Sequence, residues 1–326
     1  MAAVFASALI LWCGTTIAAV EPPRLFELHG TVTPPQRVVV TLYGAVTPFH
    51  RRVFSGSSGR FSFKRVPHGT YTVSVSHPNL GESNTTIEIT KSFADAKGRV
   101  ETSVSLMRSV VSARQALIES NTIDARDLSI SPKAKLLLKR AQRKLGRGRI
   151  DAAISTLEKA VSISDKFVEA WNLMGTIYYQ QEKYKRAEEL FRKAVLLDEH
   201  AFEPVVNLGG TLLSMKRPTE ALPYNNFAVS ARPESALANV QMGINYFLLG
   251  EDRKALLYLN KSKHLDPYHF AHPQLILAQI YSRRGRPHAA QRELEDFLLR
   301  HPDSHLSERV RVGIERLKNL FSESYR

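Results

Sequence analysis

The chain is nearly free of cysteine: Cys13 is the only one in 326 residues. It lies in an apolar leader, so the body of the protein has no thiol for a disulfide, a nucleophile or a thiolate metal site. Without cross-links, stability must come from buried surface. Acidic residues are also scarce. Lys and Arg number 45 against 31 Asp and Glu, for a net charge of +14. That imbalance favours anionic partners over cationic ones. The patterns HExxH, GxSxG, GxGxxG and the P-loop are all missing, and acidic residues form no defensible pair. Nothing therefore points to an enzyme or to a cofactor. Apolar content of 43% and charged content of 23% remain ordinary for a globular protein.

Charge is absent altogether from Ala2 to Val20. An apolar run from Val4 to Trp12 is followed by Thr16-Ile17-Ala18-Ala19, which offers cleavage after Ala18 or Ala19. Residues 1–19 read as a secretory signal peptide. The segment has no Lys or Arg ahead of its apolar run, and it approaches the ~20 residues of a spanning helix. An uncleaved membrane anchor is the competing reading. Trp12 precedes Cys13 where a lipoprotein needs a small residue, which argues against lipidation. Either way the expected location is exported: periplasmic, secreted or envelope-associated.

What the chain does have is a period. Ala153, Ala187, Ala221 and Ala255 are each 34 apart, and Ala290 follows after 35. Gly175, Gly209 and Gly243 keep the same step, as do Ala160, Ala194 and Ala228. A repeat of this size implies one two-helix unit copied and stacked. The clearest copy runs Trp171, Met174, Gly175, Tyr178, Ala187, Phe191. This resembles the tetratricopeptide repeat (TPR), W-x2-L-G-x2-Y followed by A-x3-F, with Met for Leu. Five copies fit, near 134–167, 168–201, 202–235, 236–269 and 271–304. Pro204 and Pro223 mark the third as irregular. Leu306, Val310, Ile314, Leu317 and Leu320 then fall at helical spacing, so residues 305–326 read as an amphipathic capping helix.

Residues 25–106 have another rhythm. Short alternating runs (Val38, Val40, Leu42; Phe61, Phe63; Tyr71, Val73, Val75; Ile87, Ile89) are separated by turns rich in Gly, Ser and Pro. Period-2 alternation predicts an antiparallel β-sandwich or barrel. Gly59-Arg60-Phe61-Ser62-Phe63 leading into Pro67-His68-Gly69-Thr70-Tyr71 resembles the carboxypeptidase regulatory-like domain, a transthyretin-like sandwich. Leu28-His29-Gly30-Thr31-Val32 fits the same family. The resemblance implies a non-catalytic spacer or a protein- or carbohydrate-contacting module. Related adhesin domains form isopeptide cross-links from a first-strand lysine; none occurs between Val20 and Arg60, so no such bond is expected. The expected organisation is 1–19 signal peptide, 20–108 sandwich, 109–131 linker, 132–304 five TPR units and 305–326 cap. Ser131-Pro132 supplies the first helix start. The architecture resembles that of exported bacterial TPR proteins.

Three constellations bear on function. Lys133, Lys135, Lys139, Arg140, Arg143, Lys144, Arg147 and Arg149 form a run without any acid. It is either a patch for an anionic membrane surface or acidic partner, or a solvated outer face. Nucleic acid is disfavoured, because no aromatic residues interleave as stacking platforms. His264, His269 and His272 read as surface turn histidines rather than zinc ligands. The first helix of each TPR unit should line a groove. Its side chains would be Asn172, Thr176 and Tyr179, then Val206, Gly210 and Leu213, then Val240, Ile244 and Phe247, then Leu275 and Gln279. A groove apolar in the middle suits a protein or peptide partner. The alternative is a cell-surface or glycan-binding module acting through the sandwich, with the repeats as spacer. Asn84-Thr85-Thr86 and Asn260-Lys261-Ser262 are glycan acceptors only in a eukaryotic secretory host.

Overall fold

The computed structural model describes residues 25–77, 81–106 and 129–324. The leader and most of the expected linker lie outside the described residues. The chain falls into two compact units, one from Leu25 to Pro233 and one from Glu234 onward. The division lies inside the repeat array.

The first unit opens with seven strands: β1 (Leu25–Thr33), β2 (Val39–Gly44), β3 (His50–Phe54), β4 (Arg60–Pro67), β5 (Gly69–His77), β6 (Gly81–Ile89) and β7 (Arg99–Ser105). They form two sheets, ordered β4-β1-β7 and β3-β2-β5-β6. β1 pairs antiparallel with β4 and parallel with β7. The alternation explains the layering: Leu28, Val32, Phe61, Phe63 and Val104 from one sheet meet Val40, Leu42, Val73, Val75 and Ile89 from the other. Each fully buried side chain of this size contributes roughly 1.5–3 kcal/mol. Gly30 sits where a Cβ would lie 2.2 Å from the Phe61 ring, so the sheet closes only over glycine.

Among the described residues three helix pairs follow in this unit: α1 (Pro132–Leu145) with α2 (Ile150–Ile163), α3 (Val168–Gln180) with α4 (Tyr184–Leu197), and α5 (Phe202–Ser214) with α6 (Pro218–Ala231). Ser131 caps α1 by accepting from the Lys133 N–H, with Pro132 at the first helical position. Glycine sets the helix spacing in the second and third pairs, at Gly175 and Gly209. A Cβ on Gly175 would stand 2.6 Å from the Phe191 ring, itself 1% exposed. The third pair departs from its siblings. Pro223 lies inside α6, and Asn225 is buried where the second pair has Phe191.

The second unit holds α7 (Ala236–Leu248), α8 (Asp252–Leu265), α9 (Pro273–Arg283), α10 (Pro287–Arg300) and α11 (Ser307–Ser324). Gly243 lies against Leu259 as Gly175 lies against Phe191. Val310 and Ile314 of α11 join Ala290, Leu294 and Phe297 in one apolar cluster, flanked by Leu306 and Leu317. The last helix therefore covers the apolar face that a further repeat would otherwise bury.

Candidate partner-binding face

In the first unit the first helices of the second and third pairs are joined by side chains. Asn207 donates from Nδ2 to Asn172 Oδ1 at 2.9 Å. Two helical turns further along, the Tyr179 and Ser214 hydroxyls lie 3.0 Å apart. Asn172, Thr176, Tyr179, Asn207 and Ser214 are all half-buried. Together they form a strip of amide and hydroxyl groups along α3 and α5.

Val206, Gly210 and Leu213 do not line this strip. Val206 is 2% and Leu213 5% exposed, and Gly210 is buried with them. The reason is the composition of α5. Val205, Val206, Leu208, Leu212 and Leu213 leave it apolar nearly all round, and most of its surface is covered. The side chains left facing outward are one position along, at Asn207 and Ser214. Both stand 35 residues after their partners Asn172 and Tyr179, so a strict step of 34 passes over them.

In the second unit Val240 is also core, with Ala255, Leu259, Leu277 and Ile280. Ile244, Phe247, Leu275 and Gln279 are half-buried. The Arg283 guanidinium stands 5.1 Å over the Phe247 ring and pairs with Asp252. In this unit the first helices thus present apolar side chains with a cationic rim.

Of the basic run, Lys133, Lys139, Arg140, Arg143, Arg147 and Arg149 are exposed, while Lys135 and Lys144 are half-buried. Lys144 is committed locally. Its Nζ donates to Thr156 Oγ1 at 2.5 Å and to the Ala152 carbonyl at 3.1 Å.

The turn histidines divide. His264 is exposed, but His269 is 2% exposed and His272 is packed between Phe297 and His301, ring centroids 5.1 and 4.4 Å away. The expectation of a surface cluster fails because the turn folds inward onto α10. The Ala271 N–H donates to His269 Nδ1 at 3.2 Å, and His272 adopts a left-handed φ of 46° at the start of α9. Burial, with His301 nearby, lowers both pKa values from the ordinary 6.5 to about 3. Among the described residues no group of three or more His, Cys, Asp or Glu is placed to hold a metal ion.

A tetratricopeptide repeat family model matches residues 168–200, which span α3 and α4. The helix pairs are tetratricopeptide repeats. A second family model, the β-sandwich domain of ER membrane protein complex subunit 7, matches residues 31–145, from β1 through α1. Solved structures similar to the repeats include PilF of Pseudomonas aeruginosa. It is 21% identical over 62% of this chain and 88% of its own, with a TM-score of 0.50. MamA of Desulfovibrio magneticus is 24% identical over 54% of this chain and 99% of its own, with a TM-score of 0.48. YrrB, described as a TPR protein with an unusual peptide-binding site, is 23% identical over 61% and 97%, with a TM-score of 0.45. At these identities the likeness is one of fold. No curated protein matches the chain. Among the described residues no helix is long and apolar enough to cross a membrane.

Proposed function

We propose that this protein is an exported scaffold that binds a protein or peptide segment through the first helices of its repeats. The observation that carries the reading is the chemistry of those helices. Asn172, Asn207, Tyr179 and Ser214 offer donors and acceptors able to satisfy an extended backbone. Ile244, Phe247 and Leu275 offer half-exposed apolar surface for side chains. Paired polar groups and apolar pockets are what strand or helix recognition requires. Export rests on the uncharged leader. In this reading no bond is made or broken.

Photo-crosslinking tests this assignment. A photoreactive residue replaces Tyr179 or Gln279 in one set, and the exposed Leu196 or Leu299 of the second helices in another. Adducts from the first set alone are expected. Adducts from Leu196 and Leu299 alone would move the contact to the opposite face.

A further inference from the structure

The basic run belongs to a larger surface than its sequence suggests. Arg51 of β3 donates from Nε and Nη2 to the Gly146 carbonyl at 3.1 and 2.9 Å, and from Nη1 to the Lys64 carbonyl at 2.6 Å. One guanidinium thus ties three segments together: β3, β4 and the turn between α1 and α2. The fit is close, because a Cβ on Gly146 would stand 2.6 Å from the His50 carbonyl oxygen.

Each of these segments brings exposed cations. β3 supplies Arg52, and the α1–α2 region supplies Arg143, Arg147 and Arg149. β4 supplies two in a row. The β1–β4 register shifts so that Glu27 alone spans Lys64 and Arg65, and Arg65 takes a left-handed φ of 55°. A bulge of this kind re-aims side chains; here consecutive residues of one strand are both exposed. A non-glycine residue in that region is held at a cost.

Among the described residues none of Arg51, Arg52, Lys64, Arg65, Arg143, Arg147 and Arg149 forms an ion pair with a carboxylate. Elsewhere pairing is common: Glu188 meets both Arg192 and Arg217, and Lys263 meets Glu293. Arginine predominates in the cluster, and its planar fork suits phosphate oxygens.

The position of this surface favours a membrane over a nucleic acid. β1 begins at Leu25, whose register partner is Pro67, two residues beyond Arg65. The uncharged segment Ala2–Val20 joins β1 through only Glu21–Arg24, which span at most about 14 Å when extended. Retained as an uncleaved anchor, the competing reading of that segment, it would bring the cationic cluster to the lipid headgroups. No aromatic residue interleaves with the run to stack bases.

We propose that the composite surface of Arg52, Lys64, Arg65, Arg143, Arg147 and Arg149 binds the phosphate groups of an anionic lipid bilayer. It works beside the partner-binding face and independently of it.

The test uses the full chain and two kinds of vesicle, phosphatidylcholine alone and phosphatidylcholine with a quarter phosphatidylglycerol. Any apolar partitioning is common to both, so the difference between them reports the cationic surface. We expect tighter binding to the anionic vesicles, abolished at high salt. Reversing Arg52, Lys64, Arg147 and Arg149 to Glu should remove the preference, with about a fivefold loss for each positive charge removed. Reversing Arg253, Arg284, Arg286 and Arg292, exposed residues of the second unit, changes net charge equally and should leave most of it. Equal loss in both variants, or no preference in the wild type, would overturn the proposal. Release by inorganic phosphate at modest ionic strength would assign a small-anion site instead, and displacement by a DNA duplex in preference to the vesicles would assign nucleic acid.

Discussion

At the scale of single residues the repeat works by size. Gly175 is glycine because the ring of Phe191 occupies the space a side chain would take. Gly175→Ala gains about 1 kcal/mol from helix propensity but forces a clash with a ring that has nowhere to go, costing about 1–3 kcal/mol. The net is a loss of up to about 2 kcal/mol, read by thermal or urea melting. Gly313 of α11 is the control: an added methyl would meet only Leu294, at an ordinary 3.8 Å. Gly313→Ala should therefore be neutral or stabilising, by up to about 1 kcal/mol. Equal destabilisation at both sites would contradict the packing account. Gly175 was legible in the sequence because its spacing repeats at Gly209 and Gly243. Asn207 and Ser214 were not, since they face outward one position off the period, where α5 turns its apolar side chains inward.

At the scale of elements the connection from α8 to α9 behaves unlike an ordinary surface turn. His269 and His272 are buried and uncharged at neutral pH, with pKa values lowered to about 3. In the unfolded chain each titrates at its ordinary 6.5. Between those values the unfolded state binds protons that the folded state refuses. The stabilising contribution of neutral burial is therefore complete above pH 6.5 and lost as pH falls from 6.5 toward 3. Each histidine adds up to about 1.4 kcal/mol per pH unit to the acid limb. Urea melts from pH 7 to pH 4 should show this slope, and His269→Gln should flatten it. An unchanged slope in the variant would place the acid sensitivity elsewhere. Histidine spacing alone gave no warning, because flanking Pro267 and Pro273 look the same in an exposed turn and in one folded inward onto Phe297 and His301.

At the scale of the molecule, period-2 alternation left a sandwich or a barrel open for the N-terminal region, and a fixed step of 34 sufficed to place stacked helix pairs. Both signals are local and repeated many times. The link between β3, β4 and the α1–α2 turn was invisible, since it hangs on one arginine reaching two backbone carbonyls. So was the bulge that turns Lys64 and Arg65 outward together. The same limit applied to the proposed partner-binding residues. Helical position identifies which helix carries them, but burial decides that Val206, Leu213 and Val240 are core while Phe247 stays half-exposed.

The central claim is that the first helices of the repeats bind a protein segment, and one comparison tests it most directly. The full chain and its Phe247→Glu variant serve as baits in an extracytoplasmic extract, with circular dichroism confirming that both are folded. The account predicts a protein retained by the wild type and lost by the variant. Retention of the same protein at full strength by a folded Phe247→Glu variant would contradict it.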